Sequence, residues 1–318
     1  MSFKKLLSTL TKLNLISLGA VHMINRFVDQ SALENQKVLL ARSGKYYTWK
    51  WGKVFYSVSG KGDRPLLLLH DASVESSSAE WEKLVSQISD TYRIYMLDLP
   101  GCGRSDKPAV TYTNYLYVQL LHSFILDVIG TNVTVVASAL SSSFSVMAAS
   151  FSGNNIHKIY AINPLSFGEL SQTVTKVGEC VRNMLSLPVI GSCIYHIAVS
   201  RRNIEFKFAE KMYYNPFHIS KVSMEKSYIA SHMQKSNGRF LLASLKGHYL
   251  NWDIRKALRS LDIPITIVIG DKLPNARKTA LSYKKLNKQI EIRTLSHCKA
   301  LPQLENPSAL AAILKQDD

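Results

Sequence analysis

Apolar residues recur at helical spacing from the start of the chain. Phe3, Leu6, Leu7, Leu10 and Leu13 form a stripe that Val21, Ile24 and Val28 continue, and Lys4, Lys5, Lys12 and Arg26 punctuate it. This spacing predicts an amphipathic helix over residues 1–30. The longest charge-free run, Leu13 to Asn25, is 13 residues long and contains Asn14, His22 and Asn25. A spanning helix needs roughly 20 largely apolar residues, so the pattern argues poorly for a span. It also lacks the small-x-small site of a signal peptide. Two readings stay open: a helix lying in a lipid interface with its cations toward headgroups, or one packed on the protein's own body.

Beyond residue 45 the periodicity changes. Tyr46–Gly60 alternates polar with aromatic or apolar residues and reads as a hairpin. Pro65–His70, Tyr92–Asp98, Val133–Ala137, Lys158–Asn163, Ile265–Gly270 and Gln289–Leu295 read as strands, several of them continuously apolar as expected of strands buried on both faces. Helical spacing separates them at 79–88, 113–129, 144–151 and 309–314. Buried strands alternating with helices predict an α/β fold with a mostly parallel sheet covered on both faces. Between Leu165 and Asp262 the rhythm breaks into helical patterns alone. An interval of that length is a helical sub-domain, placed over the C-terminal ends of the strands where open α/β sheets bind ligands. The expected organisation is therefore a leading helix at 1–30, a core formed by 45–164 and 263–318, and a helical insertion at 165–262.

Composition narrows the class. The 318 residues are 46% hydrophobic and 19% charged, which excludes disordered, collagen-like and coiled-coil chains. Lys plus Arg number 39 against 23 Asp plus Glu, a net charge of +16. That balance suits an anionic partner, a membrane surface or plain solubility. Cys102, Cys180, Cys193 and Cys298 are far apart with no CxxC, which points to reduced thiols and a cytoplasmic setting. No phosphate-cradling loop, dinucleotide glycine motif, zinc signature or nucleic-acid module is present, so no cofactor, metal or nucleic acid is expected.

Several motifs then fall in one order: His70-Asp71, Trp81, Asp98-Leu99-Pro100-Gly101-Cys102-Gly103-Arg104-Ser105-Asp106-Lys107-Pro108, a strand with a small-residue turn, and late segments at Pro264–Gly270 and Leu301–Pro307. Together, over about Trp49 to Leu314, they resemble the α/β-hydrolase superfamily, in particular its capped branch of epoxide hydrolases, haloalkane dehalogenases and acyl hydrolases. The resemblance implies the corresponding fold with a helical cap. Its most specific segment, 98–108, has a structural role: Gly101 and Gly103 permit a tight turn that Arg104 and Asp106 can anchor.

The resemblance also implies a catalytic triad, and here the residues depart. The nucleophile of this superfamily sits on a strained strand-to-helix turn flanked by small residues, with the following amide stabilising the oxyanion. Two registers of 137–143 fit. In one, Ala137 and Ser141 are the flanks and Ala139, which carries no nucleophile, holds the turn. In the other, Ser141 is the nucleophile and Ser142 N–H the oxyanion donor. The motif's histidine position is occupied by Ala300, and His297 lies three residues earlier, up to ~10 Å away in extended chain. The orienting acid's position is Leu273, with Asp271 two residues before it, and Asn163 offers an amide after an earlier strand. The oxyanion segment, normally His-Gly, is His70-Asp71. Without a base a serine hydroxyl stays unactivated at neutral pH. Three functions follow as expectations: a scaffold that has lost its triad and binds a small hydrophobic or ester-like ligand or a protein partner; a rearranged serine hydrolase using Ser141, His297 and Asp271; and a protein acting at a membrane surface. The basic insertion residues Arg201, Arg202, Lys207, Lys211 and Lys221 read as a solvated face, and Tyr213–Phe217 as packing or a pocket entrance.

Overall fold

A computed structural model describes residues 3–151 and 155–316, with side chains from residue 17 onward. The apolar stripe positions Phe3, Leu6, Leu7, Leu10 and Leu13 therefore lie outside the described side chains. The leading segment forms one helix, α1 (Phe3–Ala32). Eight strands follow, β1 (Lys45–Trp49), β2 (Gly52–Ser59), β3 (Arg64–Leu69), β4 (Tyr92–Leu97), β5 (Val133–Ser138), β6 (Ile156–Ile162), β7 (Ile265–Gly270) and β8 (Glu291–Leu295), in a single sheet of order β1-β2-β4-β3-β5-β6-β7-β8. Antiparallel pairing is confined to β1–β2 and β2–β4, and the remaining pairs are parallel.

The central strands sort their side chains by parity. Leu67 and Leu69 of β3 enter one core, Leu66 and Leu68 the other, and all four are fully buried. The first core is closed by helices α3 (Asn114–Phe124) and α4 (Leu140–Ser150). The second is closed by α2 (Glu82–Ile88) and, at the end of the chain, Pro307–Gln316. From β3 the chain goes to β4 on one side and then crosses to β5 on the other. The C-terminal ends of β3 and β5 thus flank the switch point, where such sheets leave a crevice.

Two local expectations are corrected. The serine-rich stretch after β5 reads as a turn in sequence, yet the helix already starts at Leu140. Ser142 Oγ donates to Ala137 O at 2.8 Å, Ser143 Oγ to Leu140 O at 2.7 Å and Ser145 Oγ to Ser141 O at 3.0 Å. These bonds satisfy the hydroxyls inside the helix and allow a polar run to be buried. The helix expected over 113–129 is regular only to Phe124; a wide π-turn at Ile125–Ile129 follows and stops at Gly130, whose φ is +72°.

Between β6 and β7 lie α5 (Lys176–Ser186), α6 (Pro188–Ala198), α7 (Arg201–Lys207), α8 (Lys221–His232), α9 (Arg239–Lys246) and α10 (Arg255–Ser260), with shorter turns and no strand among the described residues. After β7 comes α11 (Ala276–Leu286), and Pro307–Gln316 is α12.

Candidate active site

The turn between β5 and α4 is made by a single residue, Ala139, with φ +46° and ψ −116°. An L-residue is strained in that region, and the strain persists because both sides are tied down. Ala139 N donates to Ile162 O at 2.9 Å, and Ser142 N returns to Ala139 O at 3.2 Å. The result is an elbow that presents the side chain at position 139 and aims the first amides of α4 into the crevice. The side chain presented is a methyl group.

The amide after the elbow is already engaged. Leu140 N donates to Asp71 Oδ1 at 3.1 Å, and the Ala72 amide faces the same carboxyl. Asp71 follows β3, so its side chain bridges the two strand ends that flank the switch point. Burial pushes its pKa up to about 6, with Glu75 adding to the rise, while the two amides and Lys207 oppose it. At neutral pH the group is therefore chiefly an anion held at a helix N-terminus, which favours negative charge. Around it stand Glu75, buried and bound through Oε1 to Lys207 Nζ at 2.6 Å, and Glu80, which accepts from Gln303 Nε2 at 3.0 Å. Burial first, then Asp71, holds the Glu80 carboxyl well above the usual carboxylate range. Beside these acids is a cavity of about 150 Å³ whose walls include Glu75, Glu80, Phe208, Met212, Leu301 and Leu304.

The insertion meets the 299–300 loop through backbone. Ala300 N donates to Met212 O at 3.0 Å, which lays the insertion over that position. Asn163, with φ +45°, gives its Nδ2 to Lys299 O at 2.9 Å and to Ala300 O at 3.1 Å, and its Oδ1 accepts from Gly270 N at 3.0 Å. One side-chain amide thus fastens β6, β7 and the 299–300 loop together.

A sequence profile described as alpha/beta hydrolase fold matches residues 65–188. A hydrolase of Metapseudomonas resinovorans, named for 2-hydroxy-6-oxo-6-(2'-aminophenyl)hexa-2,4-dienoic acid, is 20% identical over 263 residues, covering 80% of this chain and 84% of that one. Among solved structures, the CarC serine hydrolase involved in carbazole degradation superposes with TM-score 0.70 at 15% identity, covering 86% of this chain and 97% of that chain. Carboxylesterase CesB (YbfK) from Bacillus subtilis superposes with TM-score 0.65 at 17% identity, over 93% and 98%. The chain has the α/β-hydrolase fold, and its residues 65–188 match that family's profile.

Within that α/β-hydrolase frame the candidate residues are scattered. Ser141 is corrected from nucleophile to helix residue: it lies past the elbow, is fully buried, and its Oγ donates to His70 O at 2.5 Å. Ser142 is likewise not the oxyanion donor, because Leu140 supplies the amide beside the elbow. His70 is fully buried and not a pocket residue; Nε2 accepts from Leu99 N at 3.0 Å and Nδ1 lies 2.7 Å from Asp71 O. His297 is exposed, with its ring centroid 5.7 Å from that of Tyr214. Asp271 is exposed and accepts from Cys298 N at 3.2 Å, with Lys272 Nζ 3.4 Å away. Among the described residues no hydrogen bond links Ser141, His297 and Asp271. Leu273 is half-buried against the core. Cys102 is fully buried, its Sγ 3.3 Å from Ser73 O, and burial pushes its thiol far up, which removes it as a nucleophile. Tyr213 packs in a cluster with Phe208, Leu301 and Leu304, whereas Phe217 is 93% exposed.

Sequence reasoning missed Glu75, Glu80 and the joining role of Asn163, and Lys207, expected on a solvated face, is instead paired with buried Glu75. A long-range ion pair such as Glu75–Lys207 leaves no periodicity or spacing signal. The Asp at position 71 was visible; its bond to the elbow amide was not.

Proposed function

We propose that this α/β-hydrolase-fold protein works by binding and not by hydrolysis. One observation carries the reading: Ala139 occupies the elbow, and the Asp71 carboxyl sits on the Leu140 amide beside it. In acyl transfer, an amide at this place stabilises negative charge that develops on the substrate oxygen. Here that donor already holds a resident anion, and the adjacent side chain has no lone pair with which to attack. Ala300 supplies no base, and a nucleophile without one keeps only a small part of the rate acceleration. The ligand class this reading favours is a small, mainly hydrophobic molecule with a polar group that can meet Glu75 or Glu80, matching the mixed walls of the neighbouring cavity. A fluorophosphonate probe tests it. The reading expects no mass shift in the folded chain and no hydrolysis of p-nitrophenyl butyrate above background. Probe attached to any serine would overturn it.

A second reading, action at a membrane surface from the cytoplasmic side, is favoured by a different observation: Met23, Ile24 and Phe27 of α1 stand 69%, 60% and 70% exposed.

A further inference from the structure

Helix α1 is amphipathic in the reverse sense to an ordinary surface helix. The side it turns to the insertion is polar. Asn25, 5% exposed, donates through Nδ2 to Val189 O of α6 at 3.0 Å, and Asp29 Oδ1 lies 3.4 Å from His196 Nε2 of the same helix. Ala32, 1% exposed, completes this inner face. At about 100° per residue, positions 23 and 27 lie roughly opposite position 25. Ala20, Met23, Ile24 and Phe27, spaced i, i+3, i+4 and i+7, form an exposed apolar stripe there. Helix α6 adds Ile190, 46% exposed, and Ile197, 63% exposed, seven residues apart and so on one side of it. An exposed apolar stripe such as the one on α1 marks an interaction site.

Charge identifies the partner. Residues 1–32 carry Lys4, Lys5, Lys12 and Arg26 but a single acid, Asp29, which faces the insertion. The whole chain is at +16. Two such copies repel one another, and a stripe on one helix is small beside the ~1,200 Å² that a stable protein interface buries. An anionic lipid surface attracts the same charge and accepts a helix lying flat. Among the described residues no helix is long and apolar enough to cross a membrane.

We propose that the Ala20-Met23-Ile24-Phe27 face of α1 docks the protein on an anionic bilayer, with α1 parallel to the surface and its apolar stripe at the boundary of headgroups and acyl chains. This deepens the membrane-surface reading and rests on it. The test is flotation of the full chain with phosphatidylcholine vesicles, with and without roughly 30% phosphatidylglycerol. The wild type is expected to float with the anionic vesicles and to stay behind with phosphatidylcholine alone. I24S/F27S is expected to lose ~10-fold or more in vesicle partitioning. L281S, which removes a 52% exposed leucine from α11, is expected to change nothing. Both variants alter exposed positions, and unchanged circular dichroism spectra verify folding. A wild type that floats with neither vesicle overturns the membrane reading itself. Equal flotation of wild type and I24S/F27S leaves that reading standing and overturns this face. Equal flotation with both vesicles overturns the anionic requirement. A vesicle-free dimer that I24S/F27S dissociates, seen by sedimentation, replaces the lipid with a second copy.

Discussion

Two turns at the C-terminal edge of the sheet, on either side of β3, are built differently. The turn after β4 is intact and fully connected. Asp98 accepts from Ser78 N and Arg104 N, each at 2.7 Å. Ser105 Oγ donates to Asp98 O and accepts from Phe55 N at 2.7 Å. Lys107, 1% exposed, reaches Gly101 O and Gly103 O at 3.2 and 3.1 Å. Gly103 stands at φ +47°, where an added Cβ would come within 2.2 Å of Asp98 Oδ2. The turn after β5 keeps its strained backbone but presents a methyl group, and its amide is held by Asp71. The comparison separates what the fold needs from what hydrolysis needs. The first turn is a structural joint whose loss would unfold the sheet edge. The second has a strained backbone with the Ala139 methyl group at its tip and the Leu140 amide on Asp71.

Substitutions can break this contrast, and the largest effect belongs to the first turn. Asp98→Ala strands the buried Ser78 amide and the partly buried Arg104 amide and takes one of two nearby carboxylates from the Lys107 ammonium; a loss of about 3–5 kcal/mol is expected in urea unfolding. A loss below about 1 kcal/mol would show that the turn is not a joint. Next comes Asp71→Asn. The folded-state pKa of Asp71 is raised to about 6 from 3.8, so the fold binds this proton more tightly than the unfolded chain does. Stability from this group is present below pH 4 and is lost as pH rises to about 6. The amide oxygen of Asn keeps the bond from Leu140 N without the charge. The variant should gain about 1–2 kcal/mol at pH 7, and the gain should fade below pH 4. Ser141→Ala removes a buried hydroxyl from His70 O and should cost about 1 kcal/mol in thermal unfolding, with no change in probe labelling. His297→Ala, at an exposed position, should stay within about 0.5 kcal/mol of wild type and leave activity assays unmoved.

The fold was readable because each strand is a short apolar run and each long helix shows its period. The hairpin, the parallel core and the helical insertion all follow from that. The register of the elbow was not readable. Five small residues surround Ala139, and only the backbone, with Ala139 N on Ile162 O, selects between the two placements. Nor could the sequence assign the Ser141 hydroxyl to a carbonyl or the Asp71 carboxyl to Leu140, since both bonds join residues about seventy positions apart. The inward polar face of α1 was hidden for the same reason, because Asn25 interrupts an apolar run until its partner on α6 is known.

The claim that a resident carboxylate fills the anion site at the elbow is tested most directly by carbon-13 NMR titration of the Asp71 carboxyl, followed together with the Leu140 amide resonance. The account predicts a midpoint at about pH 6 in both signals, with the Leu140 amide moving downfield as Asp71 ionises. A midpoint near the ordinary aspartate value of 3.8, with a Leu140 amide that does not respond, would contradict it and return the elbow amide to a substrate.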